Sequence, residues 1–232
     1  MSQHSQAVSA AALPAGAQLL ESLLWSPGEG YFLLQQHLER MQRSAEQCGF
    51  AFDGNTLGAQ LQHYAERLQL PRKVRLLLSA DGHCAINDEA VKPSVPVRAA
   101  LALAPVRSDD VLLRHKSTAR GPYDSALAAV RHLDVQDVLL WNERQELTET
   151  ASANLVLFVD GQAYTPALSS GLLAGTYRDY LLRGGVLQER VLQVSDLAHV
   201  QSLWLINSVR RWCSIECVNS PHRQDKLIRH VD

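Results

Sequence analysis

A lysine interrupts an otherwise apolar stretch near the middle of the chain, LLRHKSTARGPYDSALAA at residues 112–129. Lys116 follows a strand-like run, precedes a predicted helix and lies between a histidine and small hydroxyl residues. Burial lowers the pKa of an amine, and a deprotonated amine is both a nucleophile and a base. The segment therefore indicates a buried lysine with a chemical role.

Three segments of the second half place polar groups at the ends of apolar runs. ELTETASANL puts Glu149 between two apolar strands, where an unpaired carboxylate would be costly. Gly175 and Thr176 open a predicted helix, whose first N–H groups can bind an anion. Asn207 and Ser208 end an apolar strand and precede two arginines. Each segment alone is also typical of an ordinary turn or a solvated strand end, but their order along the chain favours a shared site.

The first half alternates between strand and helix patterns. QLLESLLW and GYFLLQQH predict a strand pair around the turn SPGEG. QQHLERMQRSAEQCGF predicts a helix that ends at Gly49, and NTLGAQLQHYAERLQL predicts a second helix stopped by Pro71. KVRLLLSADGHCAIN predicts a hairpin that turns at Asp81 and Gly82, and VRAALALAPV predicts another strand.

A second set of strands and helices completes the predicted architecture. DVLLWNERQELTETASANLVLFVDGQAYTP indicates a strand, a turn, a short polar segment, a further strand and a hairpin. The predicted fold class is α+β in two domains, with a small N-terminal domain at 1–104, a linker at 105–111 and a larger C-terminal domain at 112–232. Residues 1–16 are predicted to be a disordered lead-in.

Composition and charge narrow the possible functions. The 232 residues are 46% hydrophobic and 20% charged, which is typical of a globular protein with a substantial core. A formal net charge of −2 does not favour a nucleic-acid partner, and no apolar run approaches the roughly 18 residues of a membrane span. The four cysteines are interpreted as reduced thiols of a cytoplasmic protein, and the pair Cys213 and Cys217 lacks the further ligands of a metal site.

Five motifs together resemble the class IV aminotransferase family, the pyridoxal-phosphate enzymes of fold type IV. They are HLERMQRSA, RHKSTARGPYD, LTETASANLVLF, LLAGTYRDYLL and LWLINSVRRW, and the resemblance runs from about residue 18 to about residue 218. It implies a two-domain α+β fold with pyridoxal 5'-phosphate (PLP) between the domains. The lysine motif and NSVRRW are most similar to the 4-amino-4-deoxychorismate lyase branch.

The resemblance implies three principal cofactor-binding residues. Lys116 matches the lysine that forms a Schiff base with the cofactor aldehyde and afterwards moves a proton. Glu149 matches the carboxylate that pairs with the protonated pyridine nitrogen. Arg40 matches the arginine that binds the phosphate, because a guanidinium fork suits phosphate oxygens.

The remaining cofactor contacts are implied at the phosphate. Thr176 and Tyr177 match the positions after a helix-opening glycine, where backbone N–H groups face the phosphate. Ser208, with Asn207 beside it, matches a small hydroxyl residue in the same place. His115 is interpreted as a neighbour of the lysine segment and not as a base, since Lys116 fills that role.

Substrate recognition is predicted to use cationic groups. Arg210 would hold a substrate carboxylate, with a solvated strand end as the alternative, and Arg75 and Arg120 are further candidates. Tyr123 either contacts the cofactor or substrate or packs its own helix. Gly121 stands where branched-chain aminotransferases have a tyrosine, which favours a larger substrate.

The reaction implied by the resemblance is lysis of 4-amino-4-deoxychorismate to 4-aminobenzoate and pyruvate, a step of folate biosynthesis. One alternative is a class IV transaminase for a small branched-chain or D-amino acid. Another, from a different class, is a PLP-binding protein without turnover. The expected partners are a small-molecule substrate and a second copy of the chain in a homodimer, with an aminodeoxychorismate synthase as an additional candidate.

Overall fold

The computed structural model describes residues 13–219, which form two β-sheets with helices packed against them. The first part of the chain contains β1 (Leu19–Ser26), β2 (Gly30–Tyr31), α1 (Leu34–Cys48), α2 (Gly54–Ala65), β3 (Arg72–Leu78), β4 (Cys84–Ala90) and β5 (Val97–Leu101). The second part contains α3 (Val111–Arg114), α4 (Gly121–Val130), β6 (Asp137–Trp141), β7 (Leu147–Thr150), β8 (Asn154–Val159), β9 (Gln162–Pro166), α5 (Thr176–Arg183), β10 (Gln188–Arg190), β11 (Ser202–Asn207) and β12 (Arg211–Cys217).

The small sheet has the strand order β2-β1-β3-β4 and is antiparallel throughout. Successive side chains of a strand point to opposite faces. Leu19, Leu23 and Val74 therefore enter the core with residues of α1 and α2. Ser22 and Arg75, which are partners in the register, lie on the other face and line a cavity between the two sheets.

Helix α1 has an unusually polar buried face. Its buried residues are His37, Arg40, Met41, Ser44 and Ala45, which recur at helical spacing. The helix ends before Gly49, as predicted, where the φ of 73° is readily adopted by glycine. A buried arginine and a buried histidine need hydrogen-bond partners inside the protein, so we expect polar contacts on this face of α1.

The large sheet has the strand order β10-β9-β8-β11-β12-β5-β6-β7. An additional pairing between β7 and β8 joins the last strand back to the interior of the sheet and closes it into a ring. Fully buried leucines fill one core of this sheet, among them Leu139, Leu147, Leu155 and Leu157. The closure brings the end of β7, which carries Glu149, next to Asn154 at the start of β8.

The two sheets divide the chain earlier than the predicted domain boundary. Strand β5 pairs in parallel with both β6 and β12, so Val97–Leu101 belongs to the large sheet although the sequence analysis assigned it to the N-terminal domain. The small sheet ends with Ala90. The reason is that β5 fills the gap between β6 and β12, a long-range pairing that its own sequence does not reveal.

Three local predictions differ from the structure. The run before Lys116 is the single-turn helix α3, since the Asp110 side chain accepts a hydrogen bond from Leu112 N at 2.9 Å and caps it. The segment GYFLLQQH contributes only Gly30 and Tyr31 to a strand before α1 begins. The polar segment at 147–150 is strand β7. Of the predicted lead-in, residues 1–12 lie outside the described part of the chain, and Leu13 packs against the core of the small sheet.

Candidate active site

A cavity of about 470 Å³ lies between the two sheets. This volume is in the range of pockets that bind small molecules. The cavity is lined by residues that were singled out in the sequence, namely Arg40, Arg75, His115, Lys116, Arg120, Tyr123, Glu149, Gly175, Thr176, Tyr177, Asn207, Ser208 and Arg210. The fold thus brings together residues that are distant in sequence, such as Arg40 and Arg210, which lie 170 positions apart.

Lys116 is held in the cavity by its backbone while its amine is left without a hydrogen bond to any described residue. The Lys116 carbonyl accepts a hydrogen bond from Leu20 N at 2.8 Å, and Thr118 N donates to Gln18 O at 2.9 Å. These two backbone hydrogen bonds attach the Lys116 segment to the beginning of β1. Burial and the charge of Arg40 lower the pKa of Lys116 to about 8, although Glu21 and Glu149 act in the opposite direction. The amine therefore loses its proton more easily than an ordinary lysine, which suits a nucleophile or base.

Glu149 is a buried carboxylate at the opposite side of the site. Its Oε1 accepts from Tyr123 Oη at 2.8 Å and from Leu173 N at 3.1 Å, and Asn154 Nδ2 donates to Oε2 at 3.4 Å. Burial raises its pKa to about 7, against the lowering effects of these hydrogen bonds and of the Lys116 charge. A cationic N–H group placed in the cavity would stabilise the ionised form.

The raised pKa of Glu149 predicts a pH effect on the stability of the cofactor-free protein. Between pH 4.5 and about 7 the folded state keeps a proton on Glu149 that the unfolded state has lost, so rising pH favours unfolding. The free energy of unfolding of the wild type, minus that of the Glu149→Gln variant, should fall across this window by up to about 3 kcal/mol.

Urea unfolding of both proteins across the window measures this difference. The comparison with the variant is needed because burial lowers the pKa values of His37 and His115, and their loss of protons raises stability over similar pH values. A difference that stays constant from pH 4.5 to about 7 would show that Glu149 ionises as an ordinary carboxyl group.

Arg40 enters the cavity from the buried face of α1. Its Nε and Nη2 donate to the two carboxylate oxygens of Glu21 at 2.8 and 2.6 Å, and its Nη1 donates to Ala174 O at 3.2 Å. The guanidinium therefore reaches from the small sheet to the chain just before α5. Its other N–H groups are available to an anion in the cavity.

The N-terminus of α5 faces the same part of the cavity as Arg40. The first N–H groups of a helix have no partner within it, and the helix dipole favours an anion there. Gly175 precedes the helix, and a Cβ at this position would overlap Asn154 Oδ1, so only glycine fits. The Thr176 hydroxyl lies 3.2 Å from His37 Nε2, and the Tyr177 ring packs against Phe32. The backbone N–H groups of Thr176 and Tyr177 are therefore available to a ligand.

Asn207 and Ser208 form the turn after β11. Asn207 Oδ1 accepts from Val209 N at 3.0 Å and Arg210 N at 2.8 Å, so this side chain shapes the turn. Ser208 is buried, and its hydroxyl donates to Ser22 O at 3.2 Å across the gap between the sheets. Asn207 thus serves the backbone, whereas Ser208 lies where it can reach a ligand.

The candidate substrate residues occupy different walls of the cavity. Arg75 projects from β3, and no described residue hydrogen-bonds to its side chain. Arg210 lies on the large-sheet wall, where its Nη2 donates to Ser152 Oγ at 3.3 Å. Arg120 Nη2 donates to Ala151 O at 2.6 Å, and the guanidinium lies over the Tyr123 ring. Gly121 is outside the described lining, and a Cβ there would meet no atom within 4 Å.

The structure gives specific contacts for Tyr123 and His115. Tyr123 is buried and directs its hydroxyl to Glu149, so it does more than pack α4. His115 is also buried, and its Nδ1 lies 3.0 Å from Ser44 Oγ on α1, consistent with support of the Lys116 segment.

Three buried polar residues near the site were missed in the sequence. They are Glu21, His37 and Asp137. Glu21 could have been found, because a charged residue at the core-facing register of LLESLLW, between Leu19 and Leu23, requires a buried partner. His37 shares a helix face with Arg40 three residues away, which is a usable signal once the helix is assigned. Asp137 carried no such signal.

Other kinds of site receive no support within residues 13–219. No group of three or more His, Cys, Asp or Glu residues is arranged there to hold a metal ion. Cys48, Cys84, Cys213 and Cys217 are free thiols. None of the helices in this range has the length and apolar character needed to cross a membrane.

Comparisons with known proteins identify relatives of this chain. A protein of Schizosaccharomyces pombe (strain 972), named "Putative aminodeoxychorismate lyase", is 29% identical over 225 residues, which are 93% of this chain and 96% of that protein. The crystal structure of a "Putative amino-acid aminotransferase" from Mesorhizobium loti is 30% identical, with a TM-score of 0.81 over 87% of this chain and 100% of that one.

A second solved structure supports the fold. The "Putative 4-amino-4-deoxychorismate lyase" of Legionella pneumophila subsp. pneumophila is 21% identical, with a TM-score of 0.76 over 91% of this chain and 89% of that one. The predicted α+β fold of type IV is confirmed by these likenesses. The sequence profile described as "Amino-transferase class IV" matches residues 18–217. The chain belongs to the class IV aminotransferase family.

Proposed function

We propose that this protein is a PLP-dependent lyase that converts 4-amino-4-deoxychorismate to 4-aminobenzoate and pyruvate, in folate biosynthesis. The observation that carries the proposal is a pair of arginines, Arg75 and Arg210, on facing walls of a cavity that also contains Lys116 and Glu149. The substrate has one carboxylate on its ring and another on its enolpyruvyl group. The name of the Schizosaccharomyces pombe relative points to the same substrate.

The class IV family is PLP-dependent, and the residues of the cavity fit that cofactor. Lys116 offers an amine without a hydrogen-bonded partner, and Glu149 offers a buried carboxylate that lacks a cationic neighbour at hydrogen-bond distance. Arg40, the first N–H groups of α5 and Ser208 offer donors to the phosphate. Bound PLP would supply an electron sink for the electrons of the bond to the reacting carbon.

The chain's own groups then account for the proton transfers. Lys116 would hold the cofactor before the substrate binds, and its amine would then be available for proton transfer. Lys116 Nζ accepts the proton from the ring carbon that bears the amine. Departure of the enolpyruvyl oxygen makes the ring aromatic, and a proton returned to the enolpyruvyl methylene gives pyruvate. Glu149, which accepts a hydrogen bond from Tyr123, would hold the pyridine nitrogen of the cofactor in its protonated form.

The arginine pair is suited to two carboxylates because neither guanidinium forms an ion pair with a described carboxylate. Arg75 has no hydrogen bond to a described residue, and the Arg210 side chain bonds only to the Ser152 hydroxyl. Ser152 in turn donates to the buried carboxylate of Asp137 at 2.5 Å. This chain of contacts orients Arg210 while leaving donors for the substrate.

Replacement of Arg210 with alanine should weaken use of aminodeoxychorismate and leave the cofactor in place. A lost charge-assisted contact corresponds to about 1.5–3 kcal/mol, or roughly 10- to 150-fold in kcat/KM. The visible spectrum of the PLP-bound protein should be unchanged. Arg43→Ala, an exposed arginine of α1, is the matched control. Equal kcat/KM values for Arg210→Ala and the control would remove Arg210 from the substrate site.

The assay that tests the function compares two reactions of the purified protein with PLP. One contains aminodeoxychorismate and measures 4-aminobenzoate. The other contains a panel of amino acids with 2-oxoglutarate and measures glutamate. The proposal predicts product in the first reaction, and transamination of leucine or alanine without any 4-aminobenzoate would replace it.

A class IV transaminase for a branched-chain or D-amino acid is the second candidate. It is favoured by the 30% identity to the Mesorhizobium loti protein, which is named an amino-acid aminotransferase. Lys116 and Glu149 would serve both reactions, since both begin with proton removal from the carbon that bears the amine. A PLP-binding protein without turnover is less well supported, because both of these residues are retained.

The assembly and location are further parts of the proposal. We infer a homodimer in the cytoplasm, on the basis of the family resemblance and the free thiols. An aminodeoxychorismate synthase is the protein partner that would supply the substrate. Light scattering of the purified chain, alone and with the synthase, distinguishes a monomer, a dimer and a complex.

A further inference from the structure

A buried carboxylate links Arg40 to a second polar residue of α1. Glu21 of β1 is 1% exposed, and its Oε2 accepts from Arg40 and lies 2.6 Å from His37 Nδ1. The charge of Arg40 lowers the pKa of Glu21 to about 2 in spite of burial, so Glu21 is ionised. One carboxylate therefore holds two side chains that are one helical turn apart.

The contacts continue from His37 to the other sheet. Burial lowers the pKa of His37, so the ring is neutral and its Nδ1–H donates to Glu21. Its Nε2 then accepts from the Thr176 hydroxyl at 3.2 Å, at the first position of α5. Arg40 makes the parallel link to Ala174 O at 3.2 Å. The buried face of α1 is thus tied at two points to the chain that begins α5.

We propose that Glu21 is a positioning residue that fixes the Arg40 guanidinium and, through His37, the N-terminus of α5 as one rigid receptor for the cofactor phosphate. The inference rests on the proposed role of Arg40 in binding that phosphate. Glu21 itself lies behind Arg40, outside the described cavity lining, and does not touch the phosphate.

Electrostatics alone would give Glu21 the opposite effect. A carboxylate next to an anion-binding arginine reduces the attraction of that arginine for a phosphate. Removing the charge would then tighten phosphate binding. A rigid fork, in contrast, avoids the ordering cost that a free arginine side chain incurs when it binds. The direction of the change in affinity therefore separates positioning from charge.

The test compares PLP with pyridoxal, which lacks the phosphate, and uses no substrate. Dissociation constants are measured by absorbance for the wild type, Glu21→Asp and Glu21→Gln. Aspartate keeps the charge but is one methylene shorter, so it cannot reach both Arg40 and His37. Both variants should bind PLP about tenfold or more weakly and bind pyridoxal with little change. The ratio of the two constants is a readout that a general loss of stability does not alter.

A double-mutant cycle and a matched control complete the experiment. In an Arg40→Ala background, Glu21→Asp should have a smaller effect on PLP affinity than in the wild type, because only the link through His37 to Thr176 remains. Glu39→Gln, an exposed carboxylate on the same helix, is the control and should match the wild type. Circular dichroism confirms that each variant is folded, and Glu21→Asp, which retains the negative charge, provides the result if Glu21→Gln is unfolded.

Three results would overturn the inference. The first is tighter or unchanged PLP binding by Glu21→Asp. The second is an equal loss of PLP and pyridoxal binding, which would assign Glu21 to stability alone. The third is a PLP-to-pyridoxal ratio that Arg40→Ala leaves unchanged, which would remove Arg40 from the phosphate site. A protein that binds PLP as expected but forms no 4-aminobenzoate would contradict the lyase function and leave the role of Glu21 intact.

Discussion

The Lys116→Ala variant should lose turnover by about 10⁴-fold, the upper range for one positioned acid–base group, and should still bind PLP. The Lys116 amine has no hydrogen bond to a described residue, whereas Lys73 Nζ lies 2.7 Å from Glu89 Oε1. Arg40, the α5 N-terminus and Ser208 remain in the variant, so the phosphate keeps its donors. The measurements are kcat with aminodeoxychorismate and the dissociation constant for PLP.

The covalent role of Lys116 can be mapped directly. The wild type with PLP should absorb visible light, and borohydride should then fix a pyridoxyl group on Lys116. The alanine variant should show neither the absorbance nor the label, whereas Lys73→Ala should show both. Peptide mapping that finds the label on Lys73 or on Lys226, which lies outside the described residues, would contradict the assignment.

The Glu149→Gln variant should lose about 10²- to 10³-fold in kcat, which corresponds to roughly 3 kcal/mol of transition-state stabilisation. Glutamine keeps the shape and one acceptor for Tyr123 and Leu173, so we expect the fold to be retained. It cannot hold a positive charge on the pyridine nitrogen, and the electron sink is weakened. The measurement is kcat at saturating PLP and substrate.

A matched variant separates this effect from a general change in the sheet. Glu143→Gln removes an exposed carboxylate in the turn between β6 and β7. The Glu143 carboxylate forms an ion pair with Arg144 and accepts a hydrogen bond from Ser108 Oγ. It should turn over substrate at the wild-type rate. A Glu149→Gln variant that also retains the wild-type rate would show that the carboxylate is only structural.

The sequence by itself determined the family, the fold class and the residue types of the site. Lys116 and Glu149 could be selected as polar residues next to apolar segments, whereas Arg40 was selected through the family motif HLERM. The helix ending at Gly49 and the helix opening after Gly175 were predicted correctly, since capping depends on neighbouring residues.

Only the tertiary structure decided which groups meet. Tyr123 reaches Glu149 from 26 positions away, and Thr176 reaches His37 from 139 positions away. Strand β5 joins the large sheet because two distant strands leave a place for it. Such contacts depend on how the sheets pack, and a local pattern specifies the face that a residue occupies but not its partner. The contacts of Glu21 with His37 and Arg40 therefore follow only from the packing of β1 against α1.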